Sequence, residues 1–324
     1  MSPRRAGILS VGTALPQQRI TNTELIAAQG LDTTDDWIVR RTGIQARHRI
    51  SGDETVASLG VAAATEALEK SGRMASDLDH ILACTVTADQ LTPGLATMVA
   101  GELGSTRAAT IDLNAACSGF LLALDMAIGI IESGRANLIL IVTAEALSRI
   151  IDKQDRGTAI VFGDGAGAVV VASGEYELGA GRFVFGSDSG QRERLYADRF
   201  ERTLHMSGRE VYRAAVKNMV ASSKAAIDAA GLTIDDVDLF FAHQANARII
   251  EATAKELGLP REKAIFDIDR AANTSAASIP LALGRAEAEG ILKPGMTLGL
   301  TAFGAGFTWG AGVVRWREQP RDQA

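Results

Sequence analysis

Apolar residues recur along this chain in two periods. Short runs at 8–11, 78–85, 110–113, 138–143, 239–242, 264–268, 297–301 and 311–316 read as strands, with 110–113 expected to be buried. The run at 138–143 (LILIVT) is apolar at every position, as expected for a strand in a parallel sheet covered on both faces. Between them lie stretches with helical spacing. Thr21 or Asn22, with Glu24 at capping-box distance, opens one helix. An Ala-rich amphipathic helix over 55–70 ends at Gly72, and further helices are predicted at 93–103, 120–131, 208–230, after residue 243 to about 257, and from 273 onward. Residues 155–171 end in another apolar strand, and 173–206 read as a polar, irregular connector. This succession predicts an α/β protein with mostly parallel sheets.

The pattern also repeats. Gly72 and Asp79 match Gly231 and Asp238, each pair 159 positions apart (231 − 72 and 238 − 79). Ile111-Asp-Leu113 matches Phe266-Asp-Ile268, the Ala-Ala before Cys117 matches the Ala-Ala before Asn273, and Gly165-Ala-Gly resembles Gly310-Ala-Gly. A period of half the chain predicts a duplication rather than a solenoid. The halves divide at 1–172, carrying Cys117, and 173–324, carrying His243 and Asn273. Cys117 and Asn273 are then expected at equivalent helix starts, which a pseudo-twofold would bring together, with His243 just after a strand.

Composition narrows the classes of function. A net charge of −6 argues against a general nucleic-acid role, and an acidic partner would need a local basic patch. Two cysteines in 324 residues argue against a disulfide framework and for a reducing, cytoplasmic setting. The basic start is followed by too short an apolar run for a signal peptide, and no stretch suits a membrane helix. The Gly-Asp-Gly-Ala-Gly turn at 163–167 lacks a following Gly-Lys-Ser/Thr and runs into a strand, so close backbone packing explains it better than phosphate binding. No metal site is expected.

A lone cysteine is ordinarily inert packing. Small neighbours and a helix N-terminus, which would favour a thiolate at Cys117, make this one a candidate nucleophile. Cysteine, histidine and asparagine converging on one pocket suit thioester chemistry: Cys117 attacks an acyl carbon, and the backbone N–H groups of Cys117 and Ala305, in the 304–306 turn, are candidate oxyanion donors. His243 and Asn273 would donate hydrogen bonds to a second substrate's carbonyl.

The sequence resembles the β-ketoacyl-[acyl-carrier-protein] synthase III family over essentially its whole length. The resemblance rests on the motifs at 35–39, 41–44, 114–120 (NAACSGF), 155–157, 162–167, 243–250 (HQANARII), 273–278 (NTSAAS) and 303–310 (FGAGFTWG). It implies a thiolase-like fold with five layers, αβαβα, and a ping-pong condensation. An acyl-CoA acylates Cys117; malonyl-ACP decarboxylates with help from His243 and Asn273; the carbanion attacks the acyl-enzyme. Asparagine at 273, where elongating synthases of the fold carry histidine, implies the CoA-primed, initiating branch. No cofactor is implied, since acyl-CoA and malonyl-ACP are substrates.

By the same resemblance Trp37 and Arg156 flank the CoA adenine. Thr33, Arg41, Gly157, Tyr212, Asn246 and Arg248 line the CoA tunnel, with Tyr212 where Phe is usual. Gln244, Arg248, Arg213 and Lys255 would contact the acyl carrier protein. Phe303 guards the pocket, and Thr92 stands where some relatives use a Phe from the partner subunit of a homodimer to cap the acyl pocket. Ala272 replaces a usual glycine before Asn273. The alternatives are a starter-unit condensing enzyme or acyltransferase of a specialised pathway (polyketide, quinolone or biotin precursor), a papain-like cysteine hydrolase, which leaves the duplication unexplained, and a non-catalytic partner subunit, which would be expected to lack Cys117 or His243.

Overall fold

The structure, a computed structural model, describes residues 4–176, 179–198, 200–201 and 203–318. Two sheets organise the chain. The first runs, edge to edge, Arg5–Ala14, Asp164–Gly174, Leu138–Ala146, His80–Cys84 and Ala109–Leu113. The second runs Ala180–Ser187, Thr308–Arg315, Thr297–Gly304 and Leu239–Ala242. Residue Ala264 adds one parallel bridge to Phe240, at the place of the first sheet's fifth strand.

Both sheets are mixed, against the expectation of mostly parallel pairing. Each has two antiparallel pairs followed by parallel pairing. The connections explain this. Residues 305–307 join Thr297–Gly304 to Thr308–Arg315, and a parallel crossover needs a dozen residues or more.

Three further expectations are corrected. The segment read as a connector contains Ala180–Ser187, whose Phe183 and Phe185 lie over Gly312 and Gly310; a Cβ at either glycine would strike the ring. The predicted strand at 264–268 is only a bridge, because Gln244 Oε1 accepts from the backbone N–H groups of Asp267 and Ile268 and turns the chain into the short helix Ile268–Ala271. The strand at Ala109–Leu113 is not buried: it is the sheet's edge, and Ile111 is 38% exposed.

Helices Val56–Ser71 and Leu95–Glu102 pack on the outer face of the first sheet. Gly119–Glu132 and Ser278–Ala288 lie between the sheets. Gly208–Ala229 and Ala247–Leu257 cover the second sheet. These are the five layers. The central helix Gly119–Glu132 buries Phe120, Leu121, Leu124, Ile128 and Ile131 against the protein, each fully buried Leu contributing about 1.5–3 kcal/mol, and leaves Met126 exposed. Thr21 caps its helix with Glu24 as predicted, and Gly72 ends Val56–Ser71 in the left-handed conformation.

The duplication holds at a constant offset. The 3-10 turns Ala75–Asp77 and Ile234–Asp236, the strands starting at His80 and Leu239, the turns Ala116–Ser118 and Ser275–Ala277, and the strands starting at Leu138 and Thr297 are all 159 apart (234 − 75, 239 − 80, 275 − 116, 297 − 138). This corrects the equivalence of Cys117 with Asn273. The counterpart of Cys117 is Ala276, and that of Asn273 is Asn114 (273 − 114).

Candidate active site

Cys117 is the middle residue of the turn Ala116–Ser118, between the edge strand Ala109–Leu113 and the helix Gly119–Glu132. Its predecessor Ala116 has φ 46°, a left-handed conformation uncommon for a residue with a Cβ. The turn is pressed against the hairpin of the second half. A Cβ on Gly304 would lie 2.9 Å from the Cys117 nitrogen, so glycine is required for that approach. Ser118 and Thr308 tie the two segments: Thr308 Oγ1 donates to Ser118 Oγ and Ser118 Oγ donates to the Thr308 carbonyl, both at 3.2 Å.

His243 follows the strand Leu239–Ala242 and is 2% exposed. Its backbone N–H donates to the Thr301 carbonyl at 2.8 Å. Ser278 Oγ accepts from the Gln244 N–H at 3.2 Å and lies 2.7 Å from His243 Nδ1. We assign the Ser278 hydrogen to Nδ1, which leaves the ring proton on Nε2. Burial lowers the imidazole pKa to about 4, so the ring is neutral at pH 7 and offers one N–H to the cavity.

Asn273 is held by backbone from the other half. Its N–H donates to the Val161 carbonyl and its carbonyl accepts from the Gly163 N–H, both at 3.0 Å. Its Oδ1 accepts from the Ser275 N–H at 2.9 Å, so the side-chain NH₂ is the group left to donate. Ala272 adopts φ 58°, ψ −156°, a conformation proper to glycine.

These three residues line one cavity of about 2030 Å³, together with Phe303, Ala305 and Gly306. Phe303 is packed by Phe307 at 4.8 Å and Trp309 at 6.5 Å between ring centroids. The expectation of a resting thiolate is overturned. Burial pushes the Cys117 thiol up to about 12; a Ser275 hydrogen bond opposes this and the charge of Glu145 adds to it. Cys117 therefore rests protonated and must lose its proton to act.

The same cavity extends to Trp37, Arg41, Arg156, Gly157, Tyr212, Arg213, Asn246 and Arg248. Arg156 and Arg41 lie over the Trp37 ring at 4.8 and 5.5 Å, and Arg248 over Tyr212 at 5.6 Å. Asn246 caps Ala247–Leu257 by accepting from the Arg248 N–H, and its Nδ2 donates to the Arg41 carbonyl at 3.1 Å. This end thus presents cations and flat rings, suited to a phosphorylated, aromatic ligand.

Four predicted residues sit elsewhere. Thr33 and Thr92 do not line the cavity of their own chain. Lys255 is exposed on the helix Ala247–Leu257, away from the lining. Gln244 is not a surface contact: it is 1% exposed, its Nε2 donates to the Ala242 and Ile265 carbonyls, and its Oε1 accepts from Asp267 and Ile268. It braces the turn after His243. Sequence reasoning missed Ser275, Ser278 and Glu145. The last had a signal: it is the only charged residue in the otherwise apolar strand Leu138–Ala146.

Comparisons with known proteins place the family and the fold. The family description 3-oxoacyl-[acyl-carrier-protein] synthase III matches residues 111–189, and that of its C-terminal part matches 227–316. A β-ketoacyl-[acyl-carrier-protein] synthase III of Rhizorhabdus wittichii is 45% identical over 97% of this chain and 100% of its own. The crystal structure of 3-oxoacyl-[acyl-carrier-protein] synthase III from Aquifex aeolicus matches with TM-score 0.93 at 39% identity, over 96% of this chain and 100% of that one. That of the priming β-ketosynthase from the R1128 polyketide pathway matches with TM-score 0.93 at 35% identity, over 99% of each chain. The fold is thus that of the thiolase-like condensing enzymes, and the chemistry acyl transfer. The chain belongs to the β-ketoacyl-[acyl-carrier-protein] synthase III family.

Proposed function

We propose that this enzyme condenses an acyl-CoA primer with malonyl-ACP to give a 3-oxoacyl-ACP, the step that starts fatty-acid synthesis. The observation that carries this reading is the convergence on one cavity of a thiol, a neutral imidazole with Nδ1 already engaged, and an amide with its oxygen already engaged. The Cys117 sulfur attacks the thioester carbon, and CoA leaves with the electron pair of its C–S bond. Malonyl-ACP then loses carbon dioxide. The electron pair of the broken C–C bond spreads onto the thioester oxygen, where the His243 Nε2–H and the Asn273 NH₂ stabilise it. The carbanion attacks the acyl carbon, and the bond to Cys117 breaks.

Cys117 and Ala305 backbone N–H groups serve as oxyanion donors. Trp37 and Arg156 hold the adenine, which requires the Arg156 guanidinium to move off the ring, since 4.8 Å leaves no space for a third layer. Thr33, Arg41, Gly157, Tyr212, Asn246 and Arg248 contact the rest of CoA, and the reaction uses no resident cofactor. Exposed Arg213, Arg248 and Lys255 form the basic face for an acidic carrier protein. The protein acts in the cytoplasm as a homodimer. The open edge at Ala109–Leu113 supports this, because an exposed strand edge invites pairing with a second copy. Thr92 would then reach the partner's acyl pocket, and its small size would admit longer or branched primers.

Mass spectrometry of Cys117 after incubation with a panel of acyl-CoAs, followed by malonyl-ACP, tests this reading. Acylation of Cys117 and its discharge to a 3-oxoacyl-ACP are expected; hydrolysis with no condensed product would replace it with a hydrolase. Priming of a specialised pathway is the second reading: a polyketide priming ketosynthase is similar to this chain at 35% identity, against 39% and 45% for the two synthase III relatives. A preference for branched or functionalised primers over acetyl-CoA would select it.

A further inference from the structure

Arg47 stands on the short strand Ala46–Arg49, outside the cavity lining, and is 0% exposed. Its Nη2 donates to the Ile160 carbonyl at 2.9 Å and its Nη1 to the Ile20 carbonyl at 3.3 Å, while Nε has no partner. Among the described residues its hydrogen bonds thus go to main-chain carbonyls and to no carboxylate. Burial and the charge of Arg49 lower its pKa to about 10, against the pull of Asp35, so the guanidinium is charged at pH 7. A buried cation without a bonded carboxylate is a costly way to fill space, and an apolar side chain would pack there without that penalty.

What Arg47 holds is the segment that aligns Asn273. Ile160 ends the one-turn helix Arg156–Ala159. The next residue, Val161, accepts from the Asn273 N–H; Phe162 pairs with Asn273 in a parallel bridge; and the Gly163 N–H donates to the Asn273 carbonyl. The stem of Arg47 belongs to the same contact. A Cβ on Gly163 would lie 2.5 Å from the Ala271 carbonyl oxygen, 3.2 Å from the Arg47 Cβ and 3.5 Å from the Ala272 Cβ. Ala272, at φ 58°, is strained, and such backbone persists only where its surroundings over-determine it. Gln244 fixes the chain ahead of Ala272, at Asp267 and Ile268, and the seam with Val161 and Gly163 fixes it behind.

We propose that Arg47 is a positioning residue for condensation: by holding the Ile160 carbonyl it fixes residues 161–163, and through them it aims the Asn273 amide at the carbonyl of the second substrate. The guanidinium itself lies outside the cavity and touches neither substrate. Cys117 is carried by a different set of contacts, with Gly304 and through Ser118 with Thr308. Loss of the brace therefore spares acylation and harms the step in which Asn273 donates.

The inference rests on the malonyl-ACP reading above. Two rates are compared at saturating substrate: single-turnover acylation of Cys117, and discharge of the acyl-enzyme by malonyl-ACP. In Arg47→Lys the ammonium keeps the charge but loses the fork that spans two carbonyls. Discharge is expected to slow about tenfold, with acylation within about twofold of the parent. Asn273→Ala removes the group being aimed, so adding Arg47→Lys to it should slow discharge no further, as expected of two residues that act through one group. Gly163→Ala keeps Arg47 but drives the Ala271 carbonyl off the seam. It should reproduce both results, and it stands in should Arg47→Lys not fold. A brace serving stability alone would slow both steps alike, or slow discharge further in the Asn273→Ala background; either outcome, or an unchanged discharge rate, overturns the proposal. A parent enzyme that is acylated yet yields no 3-oxoacyl-ACP would instead overturn the substrate reading.

Discussion

The two halves of this protein place different chemistry on the same scaffold. At the end of the parallel strand the first half has Cys84 and the second has His243 (243 − 84 = 159). In the facing turns the first half has Ala116-Cys117 and the second Ser275-Ala276. One strand further, Glu145 of the first half corresponds to Gly304 of the second (304 − 145 = 159). Even the supporting contacts correspond. Ser278 bonds to His243, while its counterpart Gly119 leaves space filled by Cys84, whose Sγ would be 3.4 Å from a Cβ there. The paired positions of a repeated scaffold thus hold different groups, the thiol in one half and the imidazole and amide in the other.

The comparison is open to experiment. Cys117→Ala should abolish acylation while malonyl decarboxylation by the carrier-bound substrate stays measurable; equal loss of both would deny the division of roles. Cys84→Ala, at the counterpart of His243, should acylate at close to the parent rate. His243→Ala and Asn273→Ala should each lower condensation by about 10²–10³-fold. Both should still take up radioactive acyl groups at Cys117, and unlabelled protein would count against them as donors to the second substrate alone. Gly304→Ala brings a methyl group to 2.9 Å from the Cys117 nitrogen, and acylation should fall by about 10–100-fold as the turn shifts.

Two smaller effects concern stability. The buried His243 holds its pKa near 4 in the folded chain against 6.5 in the open one. Between these values the unfolded state binds a proton that the folded state refuses, so stability should fall as pH drops from about 6.5 towards 4. Urea titrations at several pH values would show His243→Gln with a flatter slope over that window; an unchanged slope would assign acid sensitivity elsewhere. Ala272→Gly removes strain of about 1–3 kcal/mol and adds unfolded-state entropy of about 0.5–1 kcal/mol, so a net gain of about 1 kcal/mol in thermal melts is expected.

Much of this was legible in the sequence for a physical reason. Helix caps, apolar strands and the repeated Gly and Asp positions are local signals, and they placed Cys117, His243 and Asn273 at the ends of elements. The offset between halves was visible at Gly72 and Gly231 but was lost near Asn273. The offset itself runs unbroken through the turn Ser275–Ala277; matching the two Ala-Ala pairs departed from it (273 − 117 = 156), because short alanine runs recur by composition. Pairing direction was misread because apolar runs do not encode it; the three-residue link at 305–307 does. The thiol was misjudged for a related reason. A helix N-terminus can be read from spacing, whereas desolvation depends on what the other half lays over the sulfur.

The seam at Asn273 has one more implication. Its main chain is stitched to Val161 and Gly163 of the opposite half, so the amide is aligned only while the halves are joined. The two halves amount to complementary fragments carried on one polypeptide: expressed apart, each would be inert, and recovered turnover on mixing would report their reassembly directly.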